Sequence, residues 1–138
     1  MRRENKIGKF LPLLILAILS LATLPVLAKG GKPHGVVVKS THDFGIVKED
    51  GGPVSFEFIL TNEGEGNLIV IDAKADCGCT RPEFPKAPIA PGKSGKVKVT
   101  YNPLGRPGSF DKVVTLRTNG SPSKIRLKIR GTVSPKNK

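Results

Sequence analysis

Apolar and polar residues alternate along most of the chain after residue 34, which is the period of β-strands and not of helices. In segment 54–62, "VSFEFILTN", every second residue up to Leu60 is apolar. In segment 123–133, isoleucine and leucine residues alternate with lysine and arginine. The pattern predicts strands at residues 35–40, 42–47, 54–62, 67–75, 95–101, 111–119 and 123–133.

Segments rich in glycine, proline, asparagine and serine separate these strands, as at 62–67, 90–95, 103–109 and 119–123. Glycine reaches positive φ and proline presets φ, so such segments favour tight turns. Short strands at this spacing predict an all-β protein, an immunoglobulin-like β-sandwich of about seven antiparallel strands. We expect the sandwich to span residues 36–133, between flexible tails at 29–35 and 134–138.

The first 28 residues have the three parts of a secretory signal peptide. A basic head is followed by the uncharged apolar segment 10–28, which ends at the small residue Ala28 before Lys29. We expect residues 1–28 to form a signal-peptide helix that is cleaved, which makes the protein exported, either periplasmic or secreted. The alternative is a retained membrane anchor, since a membrane span needs about 20 apolar residues.

The chain is basic, with a formal net charge of +12. Removing residues 1–28, which hold four basic residues and one acidic residue, leaves about +9. Outside the cytoplasm such a surplus favours contact with an anionic envelope component or an acidic protein, and no nucleic acid is expected. A merely solvated basic face is the alternative interpretation, because strands that expose one face alternate charges with apolar residues anyway.

The two cysteines of the chain, Cys77 and Cys79, are separated by Gly78 alone. Such a short loop removes little entropy from the unfolded chain, so stabilisation is a weak reason for the pair. Three interpretations stay open. The pair is a local structural feature, bonded or buried; it is a thiol–disulfide redox pair; or it holds a soft metal ion such as copper(I) or zinc. Lys74 and Arg81 are near enough in sequence to lower a thiol pKa.

Other candidate residues are few. His34 and His42 lie in no catalytic pattern, and the sequence contains no phosphate-binding loop, nucleophile elbow or metalloprotease motif. We expect no catalytic residues and no cofactor. The loop "RPGSF" is a candidate contact loop, with Arg106, Pro107, Gly108 and Phe110 as its residues, because loops on a rigid scaffold often carry function.

Several segments together resemble one bacterial family. They include "HDFGIV" at 42–47, "IRLKIRGTV" at 125–133 and, as the most specific part, the order "CGCT", "PIAPGKSG" and then Tyr101. The chain resembles the domain of unknown function 1573 over residues 36–133. That family is similar to the Hydin-type and major-sperm-protein-like immunoglobulin sandwiches, so the resemblance implies an exported immunoglobulin-like domain and no particular activity.

The sequence as a whole predicts a non-catalytic binding or structural module of the cell envelope. Its partner is expected to be another envelope protein or an anionic envelope component, with membrane contact only if the signal segment is retained. Pairing at an exposed strand edge is one route to such a partner. The competing hypothesis is a redox or metal-binding role of Cys77 and Cys79.

Overall fold

The computed structural model describes residues 30–137, which form eight β-strands in two four-stranded sheets. The strands are β1 (Gly35–Val36), β2 (Thr41–Lys48), β3 (Val54–Asn62), β4 (Val70–Ala75), β5 (Thr80–Glu83), β6 (Ser94–Tyr101), β7 (Gly108–Thr118) and β8 (Lys124–Ser134). One sheet has the order β1-β3-β6-β5 and the other β2-β8-β7-β4. The predicted all-β sandwich is confirmed. The predicted signal peptide lies outside the described residues.

The core lies between the two sheets and is built by the alternation seen in the sequence. On β6, Val97 and Val99 are fully buried, and on β8, Leu127 and Ile129 are 1% and 0% exposed. The Tyr101 ring stacks on the Phe110 ring across the core, with the ring centroids 3.9 Å apart. Each of these side chains alternates with an exposed neighbour, so apolar burial fixes which face of each strand turns inward.

Two features of the strand order differ from the prediction. Strand β5 is not expected from its sequence, because "TRPE" is charged and contains Pro82; it forms because it pairs with β6, where Pro82 lies opposite Val99. Strands β2 and β8 run parallel, with His42 opposite Ile129, whereas the sequence predicts antiparallel strands throughout. After β1 the chain crosses to the other sheet, where β2 runs in the same direction as β8.

The sandwich also includes residues that the sequence predicts as part of the flexible tail 29–35. Glu63 N donates a hydrogen bond to His34 O at 2.8 Å, and Ser121 N donates one to Pro33 O at 3.1 Å. These bonds hold the chain before β1 against two turns at one end of the sandwich. Across residues 30–137, no helix is long and apolar enough to span a membrane.

Candidate functional site

Cys77 and Cys79 are joined by a disulfide in the turn between β4 and β5. The turn is fixed by backbone hydrogen bonds from Thr80 N to Cys77 O (3.2 Å) and from Asn102 N to Cys79 O (2.9 Å). Cys79 is 5% exposed, whereas Cys77 is only partly buried. In this bonded form the sulfurs offer no thiolate to a metal ion. Within the described chain no three His, Cys, Asp or Glu side chains are grouped as metal ligands.

The charges expected to act on the cysteines lie on opposite faces of the sandwich. Arg81 lies on β5 and lines an open groove of about 400 Å³ together with Gly78 and Cys79. Lys74 lies on β4, in the other sheet, and lines a different groove. Arg81 is therefore the one of these two cations that shares a surface with the disulfide.

The groove beside the disulfide is polar. Its floor contains the Ser55 and Thr100 hydroxyls, which hydrogen-bond to each other at 2.8 Å. Lys98 and Glu83 lie opposite each other on β6 and β5 and also line it. A surface of this kind can hydrogen-bond a peptide, and it presents no nucleophile held by a neighbouring base.

The predicted contact loop lies at the same end of the sandwich as the disulfide. Arg106 and Pro107 are exposed, and the Arg106 Nη1 donates a hydrogen bond to Leu104 O at 3.0 Å. Gly108 has φ of 105°, which only glycine adopts readily, and begins β7. Phe110 does not belong to this loop surface, because it is 7% exposed and packs in the core.

His42 lies inside an aromatic cluster, which the sequence does not predict. Its ring stacks on Phe56 with the centroids 3.7 Å apart and contacts the Phe44 ring edge-on. Its Nδ1 is buried without a hydrogen-bond partner among the described residues. Burial lowers the pKa of His42, the positive charge of Lys39 lowers it further, and Asp43 partly opposes both. His42 is thus a packing residue.

Strand β3 has an open edge, because β1 pairs with only the last two of its residues in the described chain. On one side β3 pairs with β6 along eight residues, from Val54 to Thr61. On the other side, among the described residues, β1 covers Thr61 and Asn62 alone. Residues 54–60 therefore have no ladder partner on that side among the described residues.

The backbone groups on this open edge can be assigned from the hydrogen bonds at the end of the strand. Asn62 N donates toward the β6 side, to Lys93 O, whereas Glu63 N donates toward the β1 side, to His34 O. Because the direction alternates along a strand, the N–H and C=O groups of Ser55, Glu57 and Ile59 point outward at the open edge. They are free to pair with an additional strand.

The other three sheet edges are interrupted. Strand β5 has four residues and contains Pro82, which cannot donate a ladder hydrogen bond. The register of β2 breaks between Asp43 and Ile46, where Gly45 has φ of 67°, and that of β4 breaks after Val70. Such irregularities discourage strand addition. In the described part of the chain, β3 has the longest uninterrupted register of these strands, eight residues against four on β4.

Apolar side chains flank the open edge. Val38 is 93% exposed and Ile59 is 47% exposed. Both line a shallow groove of about 230 Å³ that also includes Lys39, Phe56 and Thr61. The alternation of β3 is visible in the sequence, but the exposure of its edge is not, because it depends on where the chain leaves β1.

Solved structures of three proteins share this architecture. The first is a protein of unknown function from Porphyromonas gingivalis W83, with a TM-score of 0.62 and 18% identity over 80% of this chain and 51% of that one. The second is PapD-like domain 7 of human CEP192, with a TM-score of 0.56 and 14% identity over 77% of this chain and 89% of that one. The third is the VesB protease of Vibrio cholerae, with a TM-score of 0.55 and 16% identity over 75% of this chain and 32% of that one. The chain thus spans about half of the first protein and a third of the protease. At these identities the likeness establishes the fold alone.

No curated protein matches the sequence. The family described as "Protein of unknown function (DUF1573)" matches residues 36–133, which is nearly the whole sandwich from β1 to β8. The chain therefore belongs to the DUF1573 family.

Proposed function

We propose that the protein is an exported, non-catalytic binding module of the bacterial cell envelope, and that it binds an extended segment of another envelope protein along the open edge of β3. The observation that carries this proposal is the regular, uncovered edge at residues 54–60. Export is supported by the pattern of residues 1–28, and the absence of a catalytic role by the lack of any catalytic motif in the sequence.

The chemistry of the edge describes the segment that fits it. Three outward-facing residues, Ser55, Glu57 and Ile59, provide six backbone hydrogen-bonding groups, so affinity would come from the main chain of an added strand. The exposed Val38 and Ile59 favour a segment with apolar residues at alternate positions. A partner strand would also cover this edge, which could otherwise pair with the edge of another molecule and cause aggregation.

A photo-crosslinking amino acid placed at Ile59 tests this proposal in the producing bacterium. Ile71 provides a matched control, because it is also an isoleucine, is also 47% exposed and lies on the opposite sheet. We expect one discrete covalent adduct from position 59 and none from position 71. A synthetic peptide with the crosslinked sequence should then slow hydrogen exchange of the Glu57 and Ile59 amides.

Equal adducts from the two positions, or a peptide that leaves those amides unprotected, would contradict strand addition at β3. Export is checked separately by the intact mass of the protein from the envelope fraction. A chain that begins at Lys29 is expected. A full-length chain in that fraction would instead show that the apolar segment is retained as an anchor.

A second candidate function is thiol–disulfide exchange, favoured by the unequal burial of the two cysteine residues. An attacking thiolate of a partner dithiol can reach Cys77, which is partly exposed, more readily than the buried Cys79. Attack on the Cys77 sulfur forms a mixed disulfide and releases the Cys79 thiolate. The second thiol of the partner then attacks the mixed disulfide and releases Cys77, so the partner is oxidised and the pair is reduced.

Two cysteine variants separate this function from a structural role. Replacing both cysteines with serine should lower the free energy of unfolding by no more than about 1.5–2 kcal/mol, because the closed loop is so short. In cells, Cys79→Ser should accumulate a mixed disulfide on Cys77, whereas Cys77→Ser should not. Non-reducing gels detect the mixed disulfides, and urea unfolding measures the free energy of unfolding. If the double mutant is unfolded and neither single mutant forms a mixed disulfide, the role of the pair is structural.

A further inference from the structure

Four cations gather on one half of the outer face of the β2-β8-β7-β4 sheet. We call them the basic cluster: Lys74 on β4, Arg117 on β7, and Lys124 and Arg126 on β8. The strand register places Lys74 and Arg126 on either side of Thr115, and Arg117 opposite Lys124. All four side chains are exposed, and Lys74, Thr115, Arg117 and Lys124 line a groove of about 330 Å³.

The charges of the basic cluster are mostly uncompensated. Among the described residues, Asp72 is the acidic residue that lines this groove, and it accepts two hydrogen bonds from Arg117, the shorter at 2.7 Å. Lys74, Lys124 and Arg126 make no ion pair with any described residue. The four cations of the cluster and the one carboxylate that lines its groove together carry a net charge of +3.

The other half of the same face is different. There, Lys128 pairs with Asp111 at 3.8 Å and Arg130 pairs with Asp43 at 3.2 Å, while Asp76 is exposed and unmatched by a cation among the described residues. The positive charge of this face is therefore concentrated in the half that holds the basic cluster, and carboxylates balance the cations in the other half. A broad anionic surface such as a bilayer would be repelled by these carboxylates, whereas a narrow anionic chain can lie on the basic half alone.

The geometry of the cluster favours an extended ligand with repeated charges. Neighbouring strands are about 4.8 Å apart, and alternate residues on one strand are about 6.8 Å apart, so the four cations cover roughly 10 by 7 Å. That area is larger than one anionic group. Arginine, lysine and threonine donors together can surround the several acceptor oxygens of a phosphate group.

We propose that the basic cluster binds a linear polymer that carries repeated phosphate groups, running across β4, β7 and β8 on the outer face of the sheet. This site is independent of the proposed peptide site, because β3 belongs to the opposite sheet. The protein can therefore hold an anionic polymer on one face and a protein segment at the far edge simultaneously.

Binding of linear polyphosphate to the purified chain 29–138 tests this proposal. The test variant is Lys124→Ser with Arg126→Ser, and the matched control is Lys96→Ser with Lys98→Ser. Each pair removes two exposed cations that are two residues apart on one strand, and the control pair lies on the opposite sheet. We expect the test variant to bind on the order of tenfold more weakly and with a shallower salt dependence, and the control to bind nearly as wild type.

Three results would overturn the proposal. Equal losses in the two double variants would mean attraction by net charge alone. Stronger binding to polygalacturonate, a carboxylate polymer, would mean that phosphate is the wrong group. Binding to phosphatidylglycerol vesicles but not to polyphosphate would assign the cluster to a membrane surface. Unchanged thermal unfolding midpoints in both variants confirm that the comparison concerns binding and not folding.

Discussion

Replacing Asn62 with alanine is expected to lower the free energy of unfolding by about 3–5 kcal/mol. The Asn62 side chain is fully buried at the end of β3. Its amide nitrogen donates to Gly66 O at 2.7 Å and to Ile89 O at 2.8 Å. Its oxygen accepts from Gly64 N at 3.0 Å and from His34 N at 3.3 Å. Alanine would leave these four backbone groups without that partner, and each buried group that loses its partner costs about 1 kcal/mol or more.

Urea unfolding of Asn62→Ala measures this loss, with Asn119→Ala as the matched control. Asn119 also bonds two backbone groups, accepting from Ile69 N at 2.7 Å and donating to Asn67 O at 3.1 Å, but it is exposed. Water can replace those bonds, so the control should lose only about 1 kcal/mol. Equal losses in the two variants would show that the buried amide of Asn62 is not a special anchor.

Replacing Phe58 with alanine is the second change for which we expect a large effect, a loss of about 3–5 kcal/mol. Phe58 is 1% exposed and lies on β3 opposite Val97 of β6. Its ring contacts the Phe56 ring edge-on, with the centroids 4.9 Å apart. Removing the ring takes away buried apolar surface and leaves a cavity that the two flanking sheets cannot close.

The neighbouring residue on the same strand provides the control for this experiment. Ile59→Ala removes a side chain that is 47% exposed, and we expect it to cost less than about 1 kcal/mol. Chemical denaturation of both variants compares the two faces of one strand at adjacent positions. If Ile59→Ala were as destabilising as Phe58→Ala, the assignment of the inner and outer faces of β3 would be wrong.

Both changes act on β3, and they affect its open edge differently. Asn62 fastens the residues before β1 to the turns around Gly64 and Gly66, where β1 begins to pair with β3. Phe58 holds the middle of the strand against the core. Asn62→Ala should therefore loosen the chain beside the open edge and reduce the crosslinking from position 59. Ile59→Ala should preserve the backbone that a partner strand would use.

Local pattern alone predicted the fold class and the inward face of the long strands. In β8, the alternation of Ile125, Leu127 and Ile129 with basic residues requires one buried and one solvated face, whatever the strand order. The resemblance to the DUF1573 family, carried by the "CGCT" region, is confirmed by the match to residues 36–133. These features depend on neighbouring residues in the chain, so the sequence alone specifies them.

The tertiary structure decided what depends on residues far apart in the chain. The parallel pairing of β2 with β8 and the formation of β5 around Pro82 follow from which strands meet, and the period-two pattern is the same for every strand order. The same is true of the open β3 edge and of the basic cluster. Lys74 and Arg126 are 52 positions apart in the sequence, yet the register places them on either side of Thr115. The sequence by itself determined which side chains turn outward; only the packing of the strands decided which of them lie together.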